Sequence, residues 1–264
     1  MKRAAADAAV AAANKRGRAA GIAAVAAAKQ RGASLVNHGA GTMPVGAPAP
    51  FNGARYTLLS DPADAPAPWT VQAHNGVRVN GQLLFADAPD FRPVLTPSEC
   101  IRKGIFGGCY FHKSGGKPGI FGREVAVSHE EFPAAWFEGV PRSLYASRKY
   151  HVPTNCYGKK SGFGQREWES KGWIHAQDPR GWFQWYCRFF CGRRTFDDAR
   201  QIQRWQACAS TRGRWRNQLC GAIARGSGTY DDAAISPVIR QTLLHWAYEL
   251  SEDDYEAWRR EKGK

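Results

Sequence analysis

Much of what this chain could be is excluded by what it lacks. No run of about eighteen apolar residues occurs, so no transmembrane helix is expected. The seven cysteines, at 100, 109, 156, 187, 191, 208 and 220, contain no C-x-x-C pair. Their odd number and wide spacing do not make a secreted disulfide framework, so reduced thiols in an intracellular protein are expected. No second pair of Cys or His accompanies Cys187 and Cys191, or Cys109 and His112, at ligand spacing, so no metal and no cofactor is expected. The glycine loop at 114–119 lacks the Walker spacing and reads as a flexible hairpin tip. Charges interrupt every apolar stretch of the first thirty residues, which therefore do not read as a secretory signal. Acids are also scarce: 23 Asp and Glu stand against 37 Lys and Arg, for a net charge of +14 over 264 residues.

What is present suffices for a core: 43% of residues are hydrophobic, and there are ten Trp. The basic surplus is uneven. Residues 1–50 carry seven cations and one acid, and residues 180–225 carry ten and two. In the second block every cation is Arg, a side chain suited to bidentate phosphate and base contacts. The tail, 1–33, is mostly Ala with clusters at Lys2-Arg3, Lys15-Arg16-Gly17-Arg18 and Lys29-Gln30-Arg31. It has almost no large apolar side chain to dock with. It reads as a solvated tail, an organelle-targeting peptide or a nucleic-acid-binding arm. Residues 39–50, rich in Gly, Pro and Ala, read as a linker.

The expected fold class is α+β: a small β-hairpin region, then a mainly helical domain with a buried aromatic central helix. Residues 51–92 read as a small β unit, with strands at 69–72, 77–79 and 82–85 and an Asn80-Gly81 turn, packing on the main domain. That main domain is expected over 93–250, and 251–264 as a charged C-terminal helix or tail. Thr96-Pro97-Ser98-Glu99 combines a capping Thr, Pro at the first helical position and Glu at the third. Asp178-Pro179 and Ser236-Pro237 repeat cap-then-Pro, while Thr195 and Ser251 precede acidic first turns. Helices are expected near 97–103, 130–137, 163–171, 180–191, 196–208, 214–225, 237–250 and 252–262. Strands are expected at 105–112, 120–127 and 144–147.

Helix 182–191 is apolar almost all round, which marks a central, buried helix. Gln184 and Arg188 are its one polar stripe, and they should satisfy neighbouring carbonyls or a carboxylate. In 196–208, Phe196, Ala199, Ile202 and Trp205 face inward, and Arg200 and Arg204 lie opposite, beside Asp197. In 214–225, Trp215, Leu219, Ala222 and Ile223 face inward, while Arg214, Asn217, Gln218 and Arg225 face out. Arg reads guanine and Asn or Gln reads adenine, so two short helices around Gly213 suggest a helix-turn-helix-like pair. An amphipathic hairpin with a solvated Arg face is the plainer reading, and Arg193-Arg194 could equally cap a helix end.

The string Gly181-Trp182-Phe183-Gln184-Trp185-Tyr186-Cys187-Arg188-Phe189, with Gly192-Arg193-Arg194, Asp197-Asp198, Arg200-Gln201-Ile202 and Arg204-Trp205, resembles an uncharacterised protein family of algae, fungi and large DNA viruses. The resemblance runs from Thr96 to about Leu250 and includes Ser236-Pro237 and Arg240-Gln241. It implies a folded domain there and no particular activity.

These features lead to an expected nucleic-acid-binding protein, with DNA favoured over RNA. The expected contacts are Arg193, Arg194, Arg200, Arg204, Arg212, Arg214, Asn217 and Gln218, helped by the basic tail. No catalytic constellation stands out, since His151 and Cys156 would need a fold contact to act as a pair. A nucleic-acid-processing enzyme with an inconspicuous site, and an assembly protein binding an acidic partner, are the alternatives. The expected location is the nucleus or a virus-associated compartment, or an organelle if the tail is a transit peptide.

Overall fold

A computed structural model describes residues 77–263 apart from 86, 113–127, 176, 196 and 227, together with two short strands before them. The Ala-rich tail, the strand expected at 69–72, the strand at 120–127 and the glycine loop at 114–119 lie outside the described residues. Part of the expected linker is a strand. There β2 (Thr42–Pro44) pairs antiparallel with β1 (Leu35–Asn37).

Asn80 and Gly81 both adopt positive φ, as a two-residue hairpin turn requires. They join β3 (Val77–Val79) to β4 (Gln82–Leu84), with Val79 opposite Gln82. This hairpin is bound into the main body. Leu83 and Phe85 are buried, and the Leu83 N–H donates to the Pro93 carbonyl at 2.7 Å. Arg78 donates to both carboxylate oxygens of Glu99, at 2.9 and 2.7 Å. Glu99 also closes the expected capping box of α1 (Pro97–Lys103). The Thr96 hydroxyl accepts from the Glu99 N–H, and the Glu99 carboxylate accepts from the Thr96 N–H.

The remaining α-helices are α2 (Gln165–Ser170), α3 (Trp182–Phe190), α4 (Asp198–Ala209), α5 (Arg214–Arg225), α6 (Pro237–His245) and α7 (Glu252–Lys262). The fold is thus α+β, mainly helical with a small antiparallel sheet. Every side chain of α3 from Trp182 to Phe189 is buried. The ring of Phe91 stands edge-on to Phe189 and Trp205, with centroids 5.4 and 5.3 Å away. Phe91 belongs to the segment expected to pack as a small β unit on the main domain, and it sits in that domain's aromatic core. At the other end, Tyr255 and Trp258 of α7 are buried in the same core, so the C-terminal segment is docked.

Several elements differ from the sequence expectation. The 105–112 stretch is no strand: Phe106, Gly107 and Gly108 take positive φ in a 3-10 turn over Phe106–Gly108, which ends any extended run. Residues 144–147 follow another 3-10 turn, Arg142–Leu144, and the expected helix at 130–137 resolves into 3-10 turns at His129–Glu131 and Ala134–Trp136. Asp178 does not cap α3, whose N-cap is Gly181 at φ 80°. The helix expected to reach 250 ends at His245. Two residues later Ala247 turns to φ 54°, and its carbonyl accepts from the N–H groups of both Val94 and Leu95.

Truncating either aromatic at the centre of this core, Trp185→Ala or Phe91→Ala, should cost about 3–5 kcal/mol. Gln218→Ala, on the surface of α5, should stay within about 0.5 kcal/mol. Chemical denaturation of the three variants checks the ranking, and a mild effect at Phe91 would detach the hairpin segment from the core.

Candidate nucleic-acid interface

Burying α3 on all sides forces its two polar side chains to find partners inside. The Gln184 amide oxygen accepts from the Arg180 N–H at 2.9 Å. Arg188, 1% exposed, donates to Glu131, to the Gln177 carbonyl and to Asp178 Oδ1, the last at 2.9 Å. The other Asp178 oxygen accepts from Arg193. Two carboxylates and two guanidiniums thus share one enclosed cluster. Burial pushes the Asp178 carboxyl upward, but Arg193 and Arg188 more than offset this and hold it below its ordinary value.

This cluster settles the place of several expected contact residues. Arg193 is fully enclosed and belongs to the core, which corrects its assignment to a binding surface. Arg194 grips Asp87 with two nitrogens, at 2.5 and 3.0 Å, and its guanidinium lies 3.6 Å over the Phe189 ring. It also donates to the Phe189 carbonyl, so it does cap the end of α3. Arg200 is held bidentately by Asp197, at 2.5 and 2.7 Å. Arg204 donates to the Trp173 carbonyl and lies near the rings of Trp173 and Trp246. Burial, aided by the charge of Arg200, lowers its pKa to about 10. Asn217 is also committed internally. Its amide donates to the carbonyls of Thr211 and Gly213, and its oxygen accepts from the Trp258 indole at 2.8 Å. It locks α7 onto α5 and is not free to read bases. Arg216, at the edge of the apolar face, is buried against Tyr248 and Asp254.

Three expected residues keep their outward position: Arg212, Arg214 and Gln218 are exposed, as is Arg225. Arg214, Gln218 and Arg225 share one stripe of α5, with Arg214 stacked 4.2 Å over the ring of Trp215. The break between α4 and α5 spans residues 210–213, shorter than expected and within the turn length of a helix-turn-helix pair. Gly213 is needed there, since a Cβ would fall 2.5 Å from the Ala209 nitrogen.

A second basic surface escaped sequence reasoning, although its signal is plain in retrospect. No Asp or Glu occurs between Glu138 and Glu167. Within that stretch Arg142, Arg148, Lys149, Lys159 and Lys160 are all exposed, with Tyr150 and His151 between them. The loops that carry them rest on the 3-10 turn at 106–108. The His151 and Ser147 N–H groups donate to the Gly107 and Gly108 carbonyls, at 3.0 and 2.8 Å. A side chain on Gly108 would collide with the Ser143 carbonyl, its Cβ only 1.9 Å from that oxygen. The turn itself is pinned by His245, whose Nε2 accepts from the Phe106 N–H at 3.2 Å while the two rings stack 4.1 Å apart. Burial drives the pKa of His245 down to about 3, so it stays neutral and can accept that bond.

Catalytic chemistry finds little support. Burial raises the pKa of all seven cysteine thiols, the reverse of an activated nucleophile. His151 Nδ1 lies 3.1 Å from the Thr154 hydroxyl, within its own turn. Among the described residues no three His, Cys, Asp or Glu side chains are grouped so as to hold a metal ion. No helix among them is long and apolar enough to cross a membrane. No family model, curated protein or solved structure matches this chain.

Removing one partner of the enclosed cluster should be costly: Arg193→Met should destabilise by about 3–5 kcal/mol because it leaves one oxygen of the buried Asp178 carboxylate unpaired, with Arg188 its one remaining cation. Arg212→Ala should change stability by less than about 0.5 kcal/mol. Thermal or chemical unfolding separates the two. A second expectation concerns pH. The unfolded chain takes up the His245 proton near its ordinary pKa, and the folded chain does so only near pH 3. Stability should therefore be full above pH 6.5 and erode as pH falls, by about 1.4 kcal/mol per unit from this group. His245→Gln, which retains an acceptor for the Phe106 N–H, should remove that share of the slope in denaturation curves between pH 6.5 and 4.

Proposed function

We propose that this protein binds nucleic acid through side chains left free after the fold has used most of its arginines. The observation that carries this reading is the acid-free segment 139–166, in which Arg142, Arg148, Lys149, Lys159 and Lys160 are all exposed. An even stretch of positive charge, without interspersed carboxylates, suits a phosphate backbone better than a solvated face of mixed sign. The α5 stripe of Arg214, Gln218 and Arg225, with Arg212 at its start, forms a second contact surface. Acids of α7 lie near this stripe: Lys262 first, then Arg216 and Arg212, hold the Glu261 carboxyl low. The 142–160 surface is therefore the principal one, and the basic tail adds sequence-independent attraction.

Binding of the full chain to DNA and RNA should weaken steeply with salt, with a log–log slope of about −0.9 per neutralised phosphate on duplex DNA. Replacing Arg148, Lys149, Lys159 and Lys160 by Ala together should flatten the slope by about three or more. Replacing Arg212, Arg214 and Arg225 should flatten it less. Arg194→Ala and Arg200→Ala should leave the slope unchanged, since both are already spent on carboxylates. Affinity at physiological salt no greater than that of an unrelated protein of equal charge would sink the proposal. Tighter binding to polyglutamate than to nucleic acid would instead favour an acidic protein partner.

A further inference from the structure

At the middle of the 142–160 surface the exposed Tyr150 is held in a way that ordinary surface tyrosines do not need. A Cβ built on Gly107 would lie 2.6 Å from both Cγ and Cδ1 of Tyr150 and 2.8 Å from Cδ2. Three ring atoms at nearly one distance place the face of the ring over Gly107. Only glycine fits beneath it, both for that space and because Gly107 has φ 58°. The phenol is fixed as well. Asn155, 3% exposed, donates from Nδ2 to the Tyr150 hydroxyl at 2.8 Å, and its Oδ1 accepts from the Gly107 N–H at 2.8 Å. The same Nδ2 donates to the Lys159 carbonyl at 2.7 Å, which ties the Lys159-Lys160 backbone to the ring. Arg148 and Lys149 precede Tyr150 directly, in a turn closed by the Ser147 hydroxyl on the Lys149 carbonyl at 2.9 Å. Glu249, which faces Tyr157 of the same segment, is engaged by Lys103 and by the Tyr157 hydroxyl.

With one face of its ring seated on Gly107, Tyr150 as a residue is still 37% exposed. A solvent-exposed aromatic ring, held at one face and at its hydroxyl and linked along the chain or through Asn155 to two pairs of exposed cations, is the arrangement that receives an unpaired base while the charges track its backbone. A duplex offers no free base face to such a ring except at its ends.

We propose that Tyr150, framed by Arg148, Lys149, Lys159 and Lys160, is a base-stacking platform that gives the protein a preference for single-stranded nucleic acid. The proposal rests on the nucleic-acid reading above and adds to it a substrate class. Dodecamers of deoxythymidine and of uridine, an abasic strand of equal length and charge, and a duplex are the probes, titrated against the full chain. The base-bearing strands should bind at least about fivefold more tightly than the abasic strand, as stacking of one base provides. Tyr150→Phe should keep that ratio. Tyr150→Leu, which still covers Gly107, should bring it close to one while leaving the salt slope intact. Thermal melts establish that both variants are folded. Because Leu could still disturb the seat, photo-crosslinking of a 5-iodouracil strand to the unaltered chain gives an independent readout, with the adduct expected on Tyr150. A base-bearing to abasic ratio of one in the unaltered chain, a ratio that survives Tyr150→Leu, or adducts only elsewhere would overturn the platform. In each of those cases salt-dependent binding lost on replacing the four cations would leave the broader function standing. Absence of binding to every probe would overturn both, and tighter binding to phosphatidylserine vesicles than to any strand would do the same.

Discussion

The constraint on which the structure hangs is the burial of every α3 side chain from Trp182 to Phe189. A helix that presents Trp182, Phe183, Trp185, Tyr186 and Phe189 to the interior gains a large hydrophobic stabilisation. It gains it only if the polar atoms carried inside are satisfied. The indoles of Trp182 and Trp185 donate to the Gln201 carbonyl and to Asp198, and the Tyr186 hydroxyl donates to the Leu95 carbonyl. The first two draw α4 against the helix, and the third draws in the segment that leads into α1. The Arg188–Asp178–Arg193 cluster draws in two more, since Glu131 and Gln177 arrive from separate loops. Aromatic area supplies the driving force and the polar partners specify which neighbour goes where.

That division explains why the arginine-rich block looked so different from its sequence. Arginine is both the best ligand for a phosphate and the best bidentate partner for a buried carboxylate. Local spacing identified only one pairing, Arg200 with Asp197, because the two lie one helical turn apart. The others depend on distant residues. Arg194 meets Asp87 across 107 positions, and Arg216 meets the Asp254 carbonyl across 38. Helical periodicity carries no information about such contacts. Charge summed over a window counts side chains that the fold neutralises, so the block from 180 to 225 is less basic on its surface than in its composition. The stretch from 139 to 166 is the converse, modest in total but with no acid of its own and with Arg142, Arg148, Lys149, Lys159 and Lys160 exposed.

Local chemistry was read more reliably. The capping box at Thr96, the hairpin turn at Asn80-Gly81 and the limits of α1, α5 and α7 all arise from interactions or patterns within a few residues. Helical pattern also showed that Gln184 and Arg188 turn inward, though Gln184 accepts an N–H where carbonyl or carboxylate partners were expected and Glu131 reaches Arg188 across 57 positions. The failures fall where short 3-10 turns or left-handed residues replace regular elements, as at 130–137, at 144–147 and at Ala247. The Phe106-Gly107-Gly108 run has the composition of a strand, but its two glycines release it from extended geometry, and Phe106 follows them because His245 stacks on its ring. The position of Tyr150 above Gly107 could not be read for the same reason: a glycine records that something comes close without saying what.

The contact between Val94, Leu95 and the Ala247 carbonyl bears on how the chain is made. These residues stand at opposite ends of the folded body, and Phe91, Tyr186, Trp205 and Trp258 all belong to the core they help enclose. During synthesis the segment from 83 to 95 leaves the ribosome long before α6 and α7, so its apolar side chains have no complete partner while translation continues. Pairings this distant in sequence close more slowly than local ones. Phe85 and Phe91 therefore lack their aromatic partners, Phe189 and Trp205 among them, until α3 and α4 have been made.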